Sequence, residues 1–227
     1  MNTIAFIPAR ANSKRLPKKN IKKLNGVSLI EHSVRFAKSL KFVDDIIIST
    51  DDKKIIKLYK KSKFIKLFKR PKHLATNKSE TISVITHTLK KYEKKFDTTD
   101  TVILLQPTSP FRSNKVLRLA YNIYNKLKKT KSVISVSKSN NSLKRNFYIK
   151  NKYLELVGKK NKKHKNIYQV NGNFYIGNKN FLDKYKSFYY TKKTIPIILK
   201  SGSLSIDIDT KEDFDKARRA IKKWAQN

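Results

Sequence analysis

Cysteine is absent from this 227-residue chain. That excludes disulfides, thiolate metal sites and a cysteine nucleophile, and it suits a reducing cytoplasm. Glycine and proline are scarce, at 5 and 6 residues, and no linker or repeat built on them divides the chain. With so few glycines a phosphate cannot be wrapped in backbone N–H groups alone, so side-chain cations would have to hold it. No apolar run approaches the ~18 residues of a membrane helix. The opening Met1-Asn2-Thr3-Ile4-Ala5-Phe6-Ile7-Pro8 reads as a first strand rather than a secretory signal. Acidic residues are also few: 16 Asp and Glu face 54 Lys and Arg, a formal net charge of +38. Such a field attracts any polyanion. The charge is nearly all lysine, however, and is spread along the chain without an arginine-rich tail or a basic run interleaved with aromatics. It reads as a solvated surface rather than one that serves nucleic acid as its main partner.

What is present alternates in type. Ile4–Pro8, Val43–Ser49, Phe64–Phe68, Val102–Leu105 and Val133–Val136 are short, continuous and rich in β-branched residues, as buried strands are. Between them the helical period returns: Ile82, Ile85, Leu89 and Tyr92 share one face, and Val116, Ala120, Ile123 and Leu127 another. This alternation predicts an α/β domain, a mostly parallel sheet with helices on both faces, whose ligand sits beyond the strands' carboxyl ends. Residues 138–195 break the rhythm and are expected to form an inserted arm with short aromatic strands at Asn146–Ile149 and Asn173–Ile176. The sheet then resumes at Leu204–Ile208, and a helix closes the chain over Lys211–Trp224. One domain, 1–227, accommodates all of this.

Three segments carry chemistry. The loop after the first strand holds Arg10, Asn12, Ser13, Lys14, Arg15, Lys18, Lys19 and Asn20, a spacing unlike the dinucleotide fingerprint or a P-loop. Its cations and amides suit a polyphosphate; a solvated surface turn is the alternative. In Ser205-Ile206-Asp207-Ile208-Asp209-Thr210, strand alternation would project both aspartates the same way. Paired carboxylates repel unless a cation lies between them, and magnesium accepts one or two carboxylates plus substrate phosphates. The alternative makes Asp209 a helix N-cap and pairs Asp207 with a lysine. The Leu104–Arg112 turn should expose Gln106, Thr108, Ser109 and Arg112 at the sheet's edge, for sugar hydroxyls or a carboxylate, or else serve only as a turn. Ser49-Thr50-Asp51-Asp52 reads as a helix cap, and His32 and His87 as ordinary helical residues.

Together these segments resemble the acylneuraminate cytidylyltransferases, the family of the CMP-sialic acid synthetases. The matching pieces run in the family's order: Ile7–Lys14 with Lys19-Asn20, Ile48–Asp51, Arg70-Pro71 with Leu74-Ala75-Thr76, Leu105–Pro110, Asn171-Gly172 before Phe174–Ile176, and Ile206–Thr210. The resemblance implies a Rossmann-like fold of the nucleotide-diphospho-sugar transferase type, CTP and an acidic 2-keto-3-deoxy sugar as substrates, Mg²⁺, and a homodimer whose arm crosses onto the partner. By position it implies that Arg10, Asn12, Ser13, Lys14, Lys19 and Asn20 hold the CTP phosphates and sugar. It likewise implies that Arg70, Ser79 and Thr81 border cytosine and ribose. Gln106, Gln169, Asn171 and a Lys144 from the other subunit would meet the acid sugar, and Asp207 and Asp209 the metal. CMP would pass to the anomeric hydroxyl of a nonulosonic acid, with pyrophosphate leaving. Arg15, where many relatives have glycine, Asn77, where aspartate is common, and the lysine run Lys159–Lys165 in place of an arginine-bearing stretch depart from the pattern. The rivals are a Kdo-type nucleotidyltransferase and a polyanion-binding module on an inactive scaffold.

Overall fold

The computed structural model describes residues 2–139, 146–157, 166–200 and 202–224. The strands are β1 (Asn2–Ala9), β2 (Lys23–Leu24), β3 (Val27–Ser28), β4 (Asp45–Thr50), β5 (Ile65–Lys69), β6 (Thr99–Leu104), β7 (Ser132–Lys138), β8 (Phe147–Lys150), β9 (Tyr153–Leu156), β10 (Tyr168–Asn178) and β11 (Thr194–Ile198). The helices are α1 (Leu29–Lys38), α2 (Lys53–Tyr59), α3 (Thr81–Glu93), α4 (Asn114–Lys126), α5 (Lys179–Tyr185) and α6 (Lys211–Trp224). The main sheet runs β11-β7-β10-β6-β1-β4-β5, and every neighbouring pair along it is parallel except those made by β10.

Burial explains why these residues form strands. Ile4 to Ile7, Ile47, Ile48 and Val102 are all but inaccessible. A strand covered on both faces has no polar alternate positions to spare, so its sequence is a run of apolar residues. One face packs under α1, α2 and α4 through Val34, Ile55, Leu117 and Ala120. The other packs under α3 and α5 through Val84, Ile85, Leu89, Phe181 and Leu182. A third, smaller cluster joins Leu16, Leu24 and Phe111 to Phe214, Ala217 and Ile221 of α6. The expected α/β architecture is therefore present.

Two expectations need correction. Leu204–Ile208 is not a sheet strand: Ser203–Ser205 is a 3-10 turn, and the extended residues after it meet the 104–112 turn through one bond, Ile208 N–H to the Thr108 carbonyl at 2.8 Å. Ile206 and Ile208 face the third cluster, so the apolar alternation records packing against α6 rather than strand pairing. The second correction concerns 138–195. Far from standing wholly outside the sheet, this stretch supplies β10, which lies between β6 and β7 and runs antiparallel to both. The part that stands aside is the β8–β9 hairpin, joined to β10 at Phe147 and Tyr168.

The topology positions the site. From β1 the chain steps outward to β4 and β5, then crosses back to β6 on β1's other side. The crevice beyond the carboxyl ends of β1 and β6 is thus a topological switch point, where open α/β sheets bind ligands.

Candidate functional site

Beyond β1 the loop is pinned rather than loose. Asn20 donates from Nδ2 to the Arg10 carbonyl at 2.9 Å, and the Ala11 N–H donates to Asp51 Oδ1 at 2.8 Å. Thr50 at the end of β4 donates its hydroxyl to the Ala9 carbonyl at 2.5 Å. Asp52, not Asp51, caps α2 by accepting from the Lys54 N–H at 2.8 Å. The 49–52 segment therefore divides its labour: one aspartate starts a helix and the other holds the basic loop.

Arg70 follows β5 and is buried. Its Nη2 donates to the Ser49 carbonyl at 2.8 Å, whereas its Nε has no hydrogen-bond partner among the described residues. Burial draws this guanidinium down to about 10, against the pull of Asp51 and together with the repulsion of Arg10. It stays protonated at neutral pH. A buried cation with an unused N–H beside a cleft is suited to a polar or anionic ligand. Opposite it, Arg10 Nη1 donates to the Thr76 carbonyl at 2.7 Å, and the Thr76 and Ser79 hydroxyls lie 2.8 Å apart.

Asp209 meets two cations, Arg15 Nη2 at 2.6 Å and Lys19 Nζ at 2.9 Å. It does not cap α6. That role belongs to Thr210 and Asp213, whose side chains exchange bonds with each other's N–H groups at 3.2 and 2.9 Å. Asp213 also accepts from the Asp209 N–H at 3.1 Å, which fixes the backbone that carries the carboxylate. The capping alternative for Asp209 is thereby removed. Arg15, one of the departures from the family pattern, lies on this carboxylate.

The turn after β6 is organised by a residue expected at the surface. Arg112 is buried, as is Ser109. Its guanidinium donates to the Asn173 carbonyl at 2.8 Å, the Ser33 hydroxyl at 3.1 Å and the Gln106 carbonyl at 2.6 Å. Desolvation lowers it to about 9, and the negative charge of Asp207 opposes that fall. Gly172, in β10, sits at φ +75°, and a Cβ there would lie 2.8 Å from Gln106 Oε1 and 3.0 Å from Ser109 Oγ. Only glycine lets the β10 backbone come this close to Gln106. The Asn171-Gly172 pair was visible in the sequence, but the Gly172 approach to Gln106 depends on β10 lying in the sheet.

One cleft of about 320 Å³ gathers these parts: Arg10, Ser13, Lys19, Asn20, Arg70, Ser79, Thr81, Gln106, Asp207 and Asp209 all line it, with Asn77 and Thr108. Asn12 and Lys14 are exposed on the same loop and do not line it. Asn171 is buried beneath, accepting from Ser135 Oγ at 2.6 Å, while Gln169 Oε1 accepts from Ser139 Oγ at 3.4 Å. Neither lines the cleft. Lys144 and Lys159–Lys165 lie outside the described residues. Among the described residues no three His, Cys, Asp or Glu side chains cluster so as to hold a metal by themselves. Two carboxylates facing a cationic cleft still fit a hard divalent ion that completes its shell with phosphate oxygens and water.

The chain has known relatives. A family model described as cytidylyltransferase matches residues 4–227. The CMP-N,N'-diacetyllegionaminic acid synthase of Legionella pneumophila is 36% identical, with 94% of each chain covered. The N-acylneuraminate cytidylyltransferase of Escherichia coli is 31% identical, covering 94% of this chain and 51% of that one. Among solved structures, a CMP:2-keto-3-deoxy-manno-octonic acid synthetase complexed with CTP superposes with a TM-score of 0.75 at 14% identity. It covers 98% of this chain and 99% of that one, a likeness of fold.

Proposed function

Because the chain belongs to the cytidylyltransferase family, we propose that it transfers CMP from CTP to the anomeric hydroxyl of a nonulosonic acid and releases pyrophosphate. The observation that carries this reading is the switch-point cleft, which brings Arg10 and Lys19 of the β1 loop together with Arg70 and the Asp207/Asp209 pair in one lining. Its relatives' acceptors, a diacetyllegionaminic acid and an N-acylneuraminate, support a nonulosonic acid over Kdo, which enters through a likeness of fold at 14% identity.

The chemistry is chiefly positioning and charge. A bond forms between the acceptor oxygen and the α-phosphorus, the bond to pyrophosphate breaks, and the hydroxyl proton is lost. Arg10 and Lys19 neutralise the triphosphate, and Asn20 holds Arg10's backbone in place. Arg70 contributes its positive charge to the same wall, and Ser79 and Thr81 line it at the start of α3. Gln106, fixed from below by Arg112 and Gly172, orients the acceptor. Magnesium held by Asp207 and Asp209 with the phosphates would supply further charge neutralisation for the leaving group. Phosphates of a bound CTP would compete for Arg15 and Lys19, and Asp209 would then be one of the two carboxylates able to hold the metal.

The same reading makes the protein a cytoplasmic homodimer. Support for the dimer comes from the β8–β9 hairpin, which joins the sheet at Phe147 and Tyr168 and leaves Leu156 exposed at its end. The test of the nucleotide half is calorimetric titration of CTP, UTP, GTP and ATP in Mg²⁺. CTP should bind at least ~10-fold tighter than the other three, as a site that hydrogen-bonds a base edge rejects those lacking it. Equal binding of all four, displaced by RNA with a steep salt dependence, would instead favour the polyanion-binding rival.

A further inference from the structure

β5 forms one end of the main sheet and, among the described residues, pairs with β4 alone. The Arg70 N–H turns inward to the Thr50 carbonyl at 2.8 Å. Backbone groups alternate sides along a strand, so those of Leu67 and Lys69 face the open edge. Folding brings cations and aromatic rings from two elements together there. Lys66, Phe68 and Lys69 of β5 line a cleft of about 530 Å³ with Lys94, Lys95 and Phe96, which follow α3. Phe96 is half exposed and packs on Phe68, 6.5 Å away between ring centroids. Asp45 lies 3.8 Å from Lys66. Among the described residues, however, no ion pair involves Lys69, Lys94 or Lys95. A further cleft of about 310 Å³, lined by Leu40, Val43, Ile46 and Phe64, flanks the start of β5 on the sheet's other face.

We propose that this open edge receives an extended acidic segment of a partner protein. The segment adds to the sheet as a further strand, with acidic side chains toward the lysines and apolar ones on the opposite face. A free strand edge supplies main-chain hydrogen bonds, and clefts beside it receive alternate side chains. Charge selects the occupant. Lysines on an edge forbid pairing with a second copy, which would set the same cations against each other. The chain holds only 16 acidic residues against 54 basic ones, so the complementary strand comes from another protein. Nucleic acid fits this edge less well. Bases stack on open aromatic faces, and Lys66 Nζ already lies over the Phe96 ring, 4.6 Å from its centroid.

The test is fluorescence anisotropy with a labelled peptide alternating glutamate and valine. Two controls separate charge from main-chain pairing: the lysine–valine counterpart, and the same acidic peptide with its backbone nitrogens methylated. The acidic peptide should bind at least ~10-fold tighter than either, since a few strand hydrogen bonds at about 1 kcal/mol each reach that ratio. A triple variant, Lys69→Glu with Lys94→Glu and Lys95→Glu, should weaken its binding at least ~10-fold. All three side chains are exposed, so the melting temperature should hold. An acidic peptide bound no tighter than its methylated copy would overturn the added strand and leave charge attraction alone. An oligouridylate that loses as much affinity in the variant as the peptide does would also overturn the proposal, making this edge a nucleic-acid face.

Discussion

Replacing Asp209 by alanine is expected to lower kcat at least ~100-fold, the scale on which a single preorganised electrostatic group acts at a transition state. The fold should barely notice the change. Asp209's ion pairs are with Arg15, whose side chain is 67% exposed, and with Lys19, while the carboxylate itself is 31% exposed. Pairs of this kind contribute about 0–1 kcal/mol. The capping of α6 runs through Thr210 and Asp213 and survives the substitution. Activity and stability are therefore separable at this position. Steady-state turnover alongside thermal unfolding checks both, and near-normal turnover would remove the metal role from this carboxylate.

Arg112→Met is expected to do the reverse, with its first cost in stability. The substitution removes three hydrogen bonds, to the Gln106 and Asn173 carbonyls and the Ser33 hydroxyl, leaving the Gln106 carbonyl only the Ser109 N–H at 3.1 Å among the described residues. It also strips Asp207 of the buried positive charge that faces it. Removing one member of a buried charged network costs about 3–5 kcal/mol. At roughly 2–4 °C per kcal/mol for a chain of this size, the melting temperature should fall by about 6–20 °C. Arg112→Lys should recover only part of that loss, because an ammonium cannot reproduce the guanidinium's fork. A fall of under ~1 kcal/mol for the methionine variant would show that the network is dispensable.

These two residues also show what the sequence could and could not disclose. Asp209 was legible because its scarcity and its spacing from Asp207 carry chemical meaning wherever the backbone is extended. The strand assigned to it was wrong, yet both aspartates still reach one cleft. Arg112 was misplaced, because a charged residue after two prolines reads as surface, and its burial depends on partners far along the chain, the Asn173 carbonyl of β10 and the Ser33 hydroxyl of α1. β10 itself was hidden by its own composition. Asn171 and Asn173 are buried polar residues: Asn171 Oδ1 accepts from Ser135, its Nδ2 has no partner among the described residues, and Asn173 donates to the Phe111 and Leu204 carbonyls. The pairing with β7 slips between Val170 and Tyr175, so no clean alternation survives. The strands β1, β4 and β6 were readable to within a few residues because burial on both faces leaves an apolar run; β5, at the sheet's edge, was readable from Ile65, Leu67 and Phe68, and β7 from Val133, Ile134 and Val136.

The basic loop had the opposite history. In a chain of +38, five cations after a strand say little by themselves. The structure separates them: Arg10 and Lys19 turn into the cleft, Lys14 faces solvent, and Arg15 reaches across to Asp209. Which of them point inward is decided by Asn20 and Asp51, which pin the loop's backbone from both sides.

The most direct test of the account is to supply the protein with CTP, Mg²⁺ and a nonulosonic acid and to measure pyrophosphate and the CMP-linked acid together. The account predicts the two in equal amounts, with neither formed when the acid is omitted or when ATP, GTP or UTP replaces CTP. Pyrophosphate released without a CMP-linked acid, or no release from a folded protein with any acid offered, would contradict it.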